Sequence, residues 1–298
     1  MNGRKRWKLN SGILYIAPAM LIVGCLMIFP LIYTFFLSIN NYDAFNGSFK
    51  FAGLDLFKKL FADHNFSLAV RNTLVWTVCS VFLQFSGGFL LAVCINQAFI
   101  KYKAVKRILL MVPWVMPGVI IALVWTWMYH SDFGIINAIL KGLGLISENI
   151  NWTSGKNTAL LSAIIVNAWK TIPFVMLMIE AALQSVPVEL KEAAKADGVT
   201  GIKAFAIVDL PHIAPTLSTV FLLLNIWTLN SFTFIFVMTN GGPAHRSEIL
   251  SMFIYQNAFK NMNFSYSSAA AVVLFLVTAI FAFTYNKYVI GGKNEQNA

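Results

Sequence analysis

Six long apolar stretches limit the fold of this chain more than any other feature. They lie at about residues 13–39, 69–95, 107–129, 158–181, 212–237 and 268–290. The hydrocarbon core of a bilayer is about 30 Å thick, so a helix needs roughly 20 apolar residues to cross it. Each of the six stretches is long enough. The sequence therefore predicts an integral membrane protein with six transmembrane segments.

The spans are predicted to be helices, which makes the fold class all-α. Backbone groups that face lipid must be bonded within the protein, and only helices and closed barrels meet that requirement. Barrel strands alternate apolar and polar residues, whereas these stretches are continuously apolar. The composition agrees, since 58% of the 298 residues are hydrophobic and 11% are charged. We expect one transmembrane domain over residues 1–298.

The first stretch is interpreted as a retained span rather than a secretory signal. It follows the basic residues Arg4, Lys5, Arg6 and Lys8, as a signal core also would. However, its apolar run of some 27 residues ends at Asn40 without a small-residue cleavage pattern. A signal core has only about 7 to 15 residues.

Lysine and arginine predict the orientation, because cytoplasmic loops collect these residues. With the N-terminus inside, the inner segments hold thirteen of them and the outer segments hold eight. Both termini are therefore expected in the cytoplasm. The net charge of +10 follows from this distribution beside the helix ends, so nucleic-acid binding is not predicted.

The three cysteines and several prolines fall within the apolar stretches. Cys25, Cys79 and Cys94 are interpreted as small core residues rather than a disulfide or metal framework. Proline removes an intrahelical hydrogen bond and tends to kink or break its helix. The affected positions are Pro18, Pro30, Pro113, Pro117, Pro173 and Pro215.

Two clusters of polar and aromatic residues interrupt the fourth and fifth stretches. Lys170 carries a formal charge inside a span, which costs at least roughly 2.5 to 3.5 kcal/mol, so it is expected to face protein or water. Amides and hydroxyls beside aromatic rings match a sugar, which presents hydroxyls at its edge and C–H groups on its faces. Interhelical packing is the alternative. The clusters comprise Asn167, Trp169, Lys170, Thr171 and Phe174, then Asn225, Trp227, Thr228, Asn230, Ser231, Phe232 and Thr233.

A short charged run lies between the fourth and fifth stretches, within residues 185–211. Good helix formers extend from Glu189 to Ala196, and Gly198 is suited to end a helix. The run therefore predicts a helix, a turn and a second helix outside the membrane. A solvated amphipathic connector is the alternative, since charge runs often have that role.

The spacing in this run is Glu192-Ala193-Ala194, three residues, Gly198, nine residues, then Val208-Asp209-Leu210-Pro211. It resembles the cytoplasmic signature loop of the membrane subunits of ATP-binding-cassette importers. Further strings resemble the maltose-type, carbohydrate-uptake branch of that family, in which the last of them is typical of the first of two permease subunits. They are Asn167 to Phe174, Leu183 to Pro187, and Thr239-Asn240-Gly241-Gly242-Pro243.

The resemblance implies a type I importer permease in a bacterial inner membrane, with no enzymatic activity of its own. It implies a second homologous permease subunit, two ATPase subunits that hold ATP and Mg, and an extracytoplasmic solute-binding protein. No cofactor or metal is expected on this chain. The residues that would couple to the ATPase are Glu189, Glu192, Ala193, Ala194, Asp197, Gly198, Leu210 and Pro211.

The resemblance also implies a set of sugar-binding residues in the third, fourth and fifth spans. They are Gly118, Asn167, Lys170, Thr171, Phe174, Trp227, Thr228 and Ser231. Four of them differ from the residues of the maltose subunit itself, so the particular sugar is not determined: Lys170, Thr171, Trp227 and Thr228.

Two alternatives to a sugar permease remain open. The chain has no Gly-x-x-x-x-Gly-Lys-[Ser/Thr] phosphate loop, so its energy must come from another subunit. An integral-membrane enzyme would need a nucleophile and base or a metal site, and neither Gly-x-Ser-x-Gly nor His-Glu-x-x-His occurs. The other alternative is the same importer class carrying a solute that is not a sugar.

Overall fold

A computed structural model of the chain describes residues 11–43, 46–96 and 102–291. Both termini lie outside these ranges. So do six of the basic residues on which the predicted orientation rests: Arg4, Lys5, Arg6, Lys8, Lys101 and Lys293. Within them the helices are α1 Ser11–Val23, α2 Phe29–Ser38, α3 Asp55–Ala62, α4 His64–Asn96, α5 Lys103–Val115, α6 Gly118–Met128, α7 Ile135–Gly142, α8 Ala159–Gln184, α9 Val188–Ala196, α10 Gly201–Ala204, α11 Leu210–Leu229, α12 Thr233–Met238, α13 Leu250–Tyr255 and α14 Phe264–Tyr285. Turns of π-helix occupy Gly24–Ile28, Phe205–Asp209, Gln256–Lys260 and Asn286–Gly291.

Five helical segments in the described ranges are long and apolar enough to cross a membrane. They are Tyr15–Ser38, His64–Asn96, Ala159–Gln184, Gly201–Met238 and Phe264–Val289. The third predicted stretch is instead a pair of helices, α5 and α6, bent by 91°. The count is six only if this bent pair forms one span. A membrane protein of several passes is confirmed, and six continuous transmembrane helices are not.

The break in the third stretch has a local cause. α5 ends at Val115, Met116 and Pro117 are extended with ψ of 140° and 133°, and α6 begins at Gly118. Proline has no N–H to donate, and it disfavours helical geometry in the residue before it. Both effects fall at Met116–Pro117. By contrast, Pro18, Pro113, Pro173 and Pro215 lie inside helices that continue past them.

The described residues fall into two compact units, of which the first contains 11–43, 46–62 and 254–273. It includes an antiparallel hairpin, β1 Asn40–Asp43 and β2 Ser48–Phe51, so the all-α prediction is corrected to a mostly helical fold. The Tyr42 amide donates to the Ser265 hydroxyl at 2.8 Å, which ties the hairpin to the start of α14. The sequence analysis did not predict this pair of strands from the aromatic residues around Asn40.

The second unit contains residues 63–96, 102–253 and 274–291 and is built around α4, α8 and α11. Its apolar core includes Val81, Ile95, Val175, Met176, Ile179, Leu183, Ile213, Val220 and Leu224. α4 and α8 approach closely where Gly87 and Gly88 face Ile172 and Val175. Small residues permit such close contact between helices in membranes.

The cysteines correct one expectation. Cys25, Cys79 and Cys94 are free and lie on exposed helix surfaces rather than in the core. In a soluble protein, a residue within an apolar stretch of sequence usually faces the core. A transmembrane helix also presents apolar residues to lipid, so an apolar neighbourhood in the sequence does not reveal burial.

Replacing Gly88 with alanine should destabilise the α4–α8 contact. A Cβ at Gly88 would lie 2.4 Å from the Cβ of Val175, whose branched side chain cannot move aside. Overpacking of this kind costs about 1 to 3 kcal/mol, and we expect a lower melting temperature for the detergent-purified chain. Gly87→Ala is the matched control, because its close neighbour is the mobile Cδ1 of Ile172 at 2.7 Å. Equal melting temperatures for the two variants would contradict this account of the helix contact.

Candidate functional site

Nine of the twelve residues in the polar clusters of the fourth and fifth stretches line one cavity of about 450 Å³ in the second unit, and Trp169, Phe174 and Asn225 do not. Seven of the eight predicted binding residues line it: Gly118, Asn167, Lys170, Thr171, Trp227, Thr228 and Ser231. The remaining lining residues are Gln84, Trp114, Leu224, Asn230, Phe232, Thr233 and Phe234. The cavity therefore unites residues from α4, α5, α6, α8, α11 and α12.

Local helix geometry explains how these side chains meet. Asn167, Lys170 and Thr171 are spaced three and four residues apart, so they share one face of α8. α11 ends at Leu229, and the non-helical residues 230–232 before α12 turn Asn230 and Ser231 toward the same space. The break before Gly118 places the first residue of α6 in the cavity wall, beside Lys170 and Thr233.

Three aromatic rings pack together beside the cavity. Trp114 stacks on Phe174 with ring centroids 4.7 Å apart, and Phe174 lies 5.0 Å from Trp227. Phe174 does not line the cavity, so the structure places this predicted residue behind the wall. Trp227 remains 43% exposed. Its ring presents a flat apolar surface of the kind on which C–H groups of a ligand can pack.

Polar groups occupy other parts of the wall. Asn167 is only 6% exposed, and its Nδ2 has no hydrogen-bond partner among the described residues. Gln84 and Thr228 are also buried, and the Thr228 hydroxyl lies 3.5 Å from the Gln84 Oε1. Buried donors normally have acceptors. The Asn167 Nδ2 is therefore an unpaired donor buried in the wall of the cavity.

Lys170 interacts with the C-terminal end of α5, at the break in the third stretch. Its Nζ donates to the carbonyl oxygen of Trp114 at 3.1 Å and lies 4.9 Å from the centroid of the Trp114 indole. The expectation was that this charge faces protein or water, and the contact with Trp114 shows that it faces protein. No carboxylate pairs with Lys170 in the part of the chain that the structure describes.

Sequence reasoning missed four members of the wall, of which Leu224 and Phe234 are apolar and Trp114 and Gln84 carry polar groups. Trp114 directly precedes the Val115-Met116-Pro117 string, so its place beside a helix break was a usable signal. Gln84 is a single amide in an otherwise apolar part of α4, a pattern that also marks a buried polar position. Neither signal specifies a common cavity without the packing of the helices.

A second charge inside a helical span was also overlooked. Glu180 of α8 is 1% exposed and forms a two-point ion pair with Arg107 of α5. The Arg107 Nε donates to the Glu180 Oε2 at 2.9 Å, and its Nη2 contacts the other carboxylate oxygen. Lys170 is therefore one of two formal charges within α8.

The loop between α8 and α11 is a helix, a turn and a short second helix, as predicted. α9 ends at Ala196, and Gly198 has a φ of +74° that residues with a side chain rarely adopt. One boundary is different. α10 continues through the π-helical turn Phe205–Asp209 directly into α11, so the second helix is the projecting end of the fifth span.

The predicted coupling residues lie mostly on the surface of this loop. Glu189, Glu192, Ala193, Asp197, Gly198, Leu210 and Pro211 are exposed, and Ala194 is half-buried. Apolar side chains are exposed beside them, with Val188 at 62% and Ile202 at 89%. Lys191 pairs with Asp209 at 3.1 Å and fixes α9 against the second helix. An exposed surface of mixed apolar and charged character is suited to binding another protein.

The cavity and the loop share two helices. α8 carries Asn167 and Lys170 and ends at the start of the loop, while α11 begins at its end and carries Trp227. Phe205 also packs against Phe89 of α4, with ring centroids 6.0 Å apart. The loop and the cavity wall are therefore joined by α8 and α11. Among the described residues no group of His, Cys, Asp or Glu is arranged to hold a metal ion.

Comparisons with known proteins agree on one family. Residues 84–290 match the family model described as "Binding-protein-dependent transport system inner membrane component". The sulfoquinovosyl glycerol transport system permease protein SmoG of Agrobacterium fabrum is 32% identical over 90% of this chain and 88% of its own length. The trehalose/maltose transport system permease protein MalF of Thermococcus litoralis is 30% identical over 93% and 92%.

A solved structure shows the same fold. It belongs to a bacterial ABC transporter involved in the import of the acidic polysaccharide alginate, with a TM-score of 0.81 and 23% identity over 93% of this chain and 94% of that chain. The likeness extends over nearly the whole of both chains.

Replacing Arg107 with methionine should destabilise the chain, because it leaves the buried Glu180 carboxylate without a counter-charge and with only the Gln184 amide, which donates to it at 3.3 Å. Breaking a buried pair costs about 3 to 5 kcal/mol, and the lower end applies because Arg107 is 33% exposed. The melting temperature in detergent measures the loss. The double variant R107M/E180M should recover much of it, since neither charge remains. If the single variant R107M has the same melting temperature as the unmodified chain, the ion pair contributes little to stability.

Proposed function

This chain belongs to the family of binding-protein-dependent transport system inner membrane components, and on that premise we propose that it is a permease subunit of an importer for sugars or oligosaccharides. The named relatives carry a sugar glycoside or a disaccharide. The family consists of transport components, so the alternative of an integral-membrane enzyme is set aside. Transport of a solute other than a sugar is decided by the uptake experiment below.

The cavity beside the three aromatic rings is the observation that carries the proposal. It combines the exposed face of Trp227 with the free amide of Asn167 and buried hydroxyl groups. Ligand sites of this kind use apolar surface for contact area and a few polar groups for orientation. We assign sugar contacts to Gly118, Asn167, Lys170, Thr171, Trp227, Thr228 and Ser231, with Phe174 supporting Trp227 from behind.

The loop at 185–211 is proposed to dock on a separate ATPase. Closure of two ATPase subunits around ATP and Mg would push this loop and move α8 and α11 as rigid bodies. The cavity would then open alternately to the two sides of the membrane. The proposed contact residues are Glu189, Glu192, Ala193, Ala194, Asp197, Gly198, Leu210 and Pro211.

The remaining parts of the assembly follow from this role. A second, homologous permease subunit would form the other half of the pathway, and an extracytoplasmic binding protein would deliver the solute. The chain would act as one domain over residues 1–298 in a bacterial inner membrane, with both termini in the cytoplasm. It would bind no cofactor itself, and nucleic acid has no part in the mechanism.

Replacing Trp227 with leucine should weaken transport through the cavity. The complete transporter, reconstituted in liposomes with its binding protein, would be tested with labelled maltose, trehalose and chito-oligosaccharides. Loss of one stacked ring is worth about 0.5 to 1.5 kcal/mol, so we expect the concentration for half-maximal uptake to rise by up to roughly ten-fold.

The control for this variant is Trp169→Leu. Trp169 lies on the same helix as Lys170, is 40% exposed and does not line the cavity. Its replacement should leave uptake close to that of the unmodified transporter. If both tryptophan variants behave alike, the cavity is not the transport site. If no sugar enters and another solute does, the sugar assignment is wrong and the permease role stands.

Replacing Gly198 with valine should abolish coupling. A β-branched side chain at a φ of +74° is strained by about 1 to 2 kcal/mol, so the turn between α9 and α10 would change shape. We expect uptake and sugar-stimulated ATP hydrolysis to collapse while the chain still reaches the membrane. Ala196→Val, at a helical position two residues earlier, is the control and should retain both activities. Normal uptake with Gly198→Val would exclude the coupling role.

A further inference from the structure

We infer that Lys170 is a positioning residue, which holds the broken third stretch in its bent shape by supplying the hydrogen bond that the break removes from Trp114. This role goes beyond lining the cavity, and its importance for transport rests on the proposed function. Lys170 is the one cation of the described cavity wall and pairs with no carboxylate, and in this role its ammonium group serves a backbone carbonyl of the protein itself.

The carbonyl of Trp114 loses its helical partner at the break. In a continuous α-helix it would accept from the amide of residue 118, four positions later. Here α5 ends at Val115, and α6 sets out from Gly118 at 91°. The amide of Met116, the residue that follows α5, makes the last regular helical bond, to the carbonyl of Val112. The Lys170 ammonium, 3.1 Å from the Trp114 oxygen, replaces the missing donor.

Electrostatics favour a cation at this point. The C-terminal end of a helix carries partial negative charge on its free carbonyl groups, and α5 ends beside Lys170. The ammonium also lies 4.9 Å from the centroid of the Trp114 ring, within the range of a cation–π contact. One lysine therefore contacts both the backbone and the side chain of the residue at the end of α5.

The same side chain reaches the other side of the break. Its Cε lies 3.8 Å from the position that a Cβ on Gly118 would occupy, at the first residue of α6. Trp114 in turn stacks on Phe174 and lies 5.9 Å from Trp227. By fixing Trp114, Lys170 also sets the aromatic surface against which a sugar would pack.

α5 is attached to α8 by a second charged contact. Arg107, near the start of α5, pairs with Glu180, while the carbonyl of Trp114, near its end, binds Lys170. The two attachment points are ten residues apart on α8, or about 15 Å along its axis. α5 is thus attached to α8 near both ends, and the bend of the third stretch lies just beyond the second attachment, at Met116–Pro117.

Spin labels on the two halves of the third stretch test the positioning role directly. Ile108 on α5 and Val124 on α6 are 69% and 49% exposed and can carry the labels once Cys25, Cys79 and Cys94 are replaced. The assembled transporter in nanodiscs should give a narrow distance distribution with Lys170 present. Lys170→Met should broaden or shift it. Lys170→Arg, which keeps a charged donor, should restore much of the narrow distribution.

Uptake by the same variants separates this role from direct recognition. We expect Lys170→Met to lower the maximal rate of uptake by about ten-fold or more for neutral and anionic sugars alike, because the wall itself is displaced. If Lys170→Met abolishes uptake but leaves the distance distribution unchanged, the inference is wrong and Lys170 binds the sugar directly. Loss of uptake for anionic sugars alone would lead to the same conclusion. If the transporter moves no sugar at all, the proposed function fails, and the distance measurement still decides the role of Lys170.

Discussion

Backbone groups within a bilayer must find their hydrogen-bond partners in the protein, and the break between α5 and α6 leaves the Trp114 carbonyl without its helical donor. Lys170 supplies that donor at 3.1 Å. The contact places a cation, a helix end and an indole ring at one point of the cavity wall. The bend at Met116–Pro117 places Gly118 in the cavity wall beside Lys170 of α8. The cavity therefore depends on an interrupted helix and on the side chain that stabilises the interruption.

The helices that carry the cavity are the same helices that continue into the projecting loop. α8 leads into α9, and α10 runs without interruption through Phe205–Asp209 into α11. This continuity gives a physical route between the proposed docking surface and the proposed binding site that does not require a separate chain of contacts. The close packing of Gly88 against Val175 and the pair of Arg107 and Glu180 attach α4 and α5 to α8. Movement of the loop would then change the cavity as a whole.

Much of the candidate site could be predicted from the sequence, because polar residues inside apolar spans are rare and therefore conspicuous. Asn167, Lys170 and Trp227 were recognised in this way and by family resemblance, and they line one cavity. Trp114 and Gln84 were not recognised. An aromatic ring or a single amide in an apolar stretch has the same sequence context whether it faces a cavity, another helix or lipid. The exposed cysteines were misjudged for the same reason.

The sequence by itself determined the membrane location, the apolar segments and the helix–turn–helix loop with Gly198 at its turn. These features depend on local composition, since the length of an apolar run and the backbone freedom of glycine need no distant partner. Only the tertiary structure decided that the third stretch bends by 91°, that Glu180 pairs with Arg107 and that Phe174 stands behind the wall. Those features depend on which helix faces meet in space. Neighbours along the chain carry no information about contacts between residues that are many positions apart.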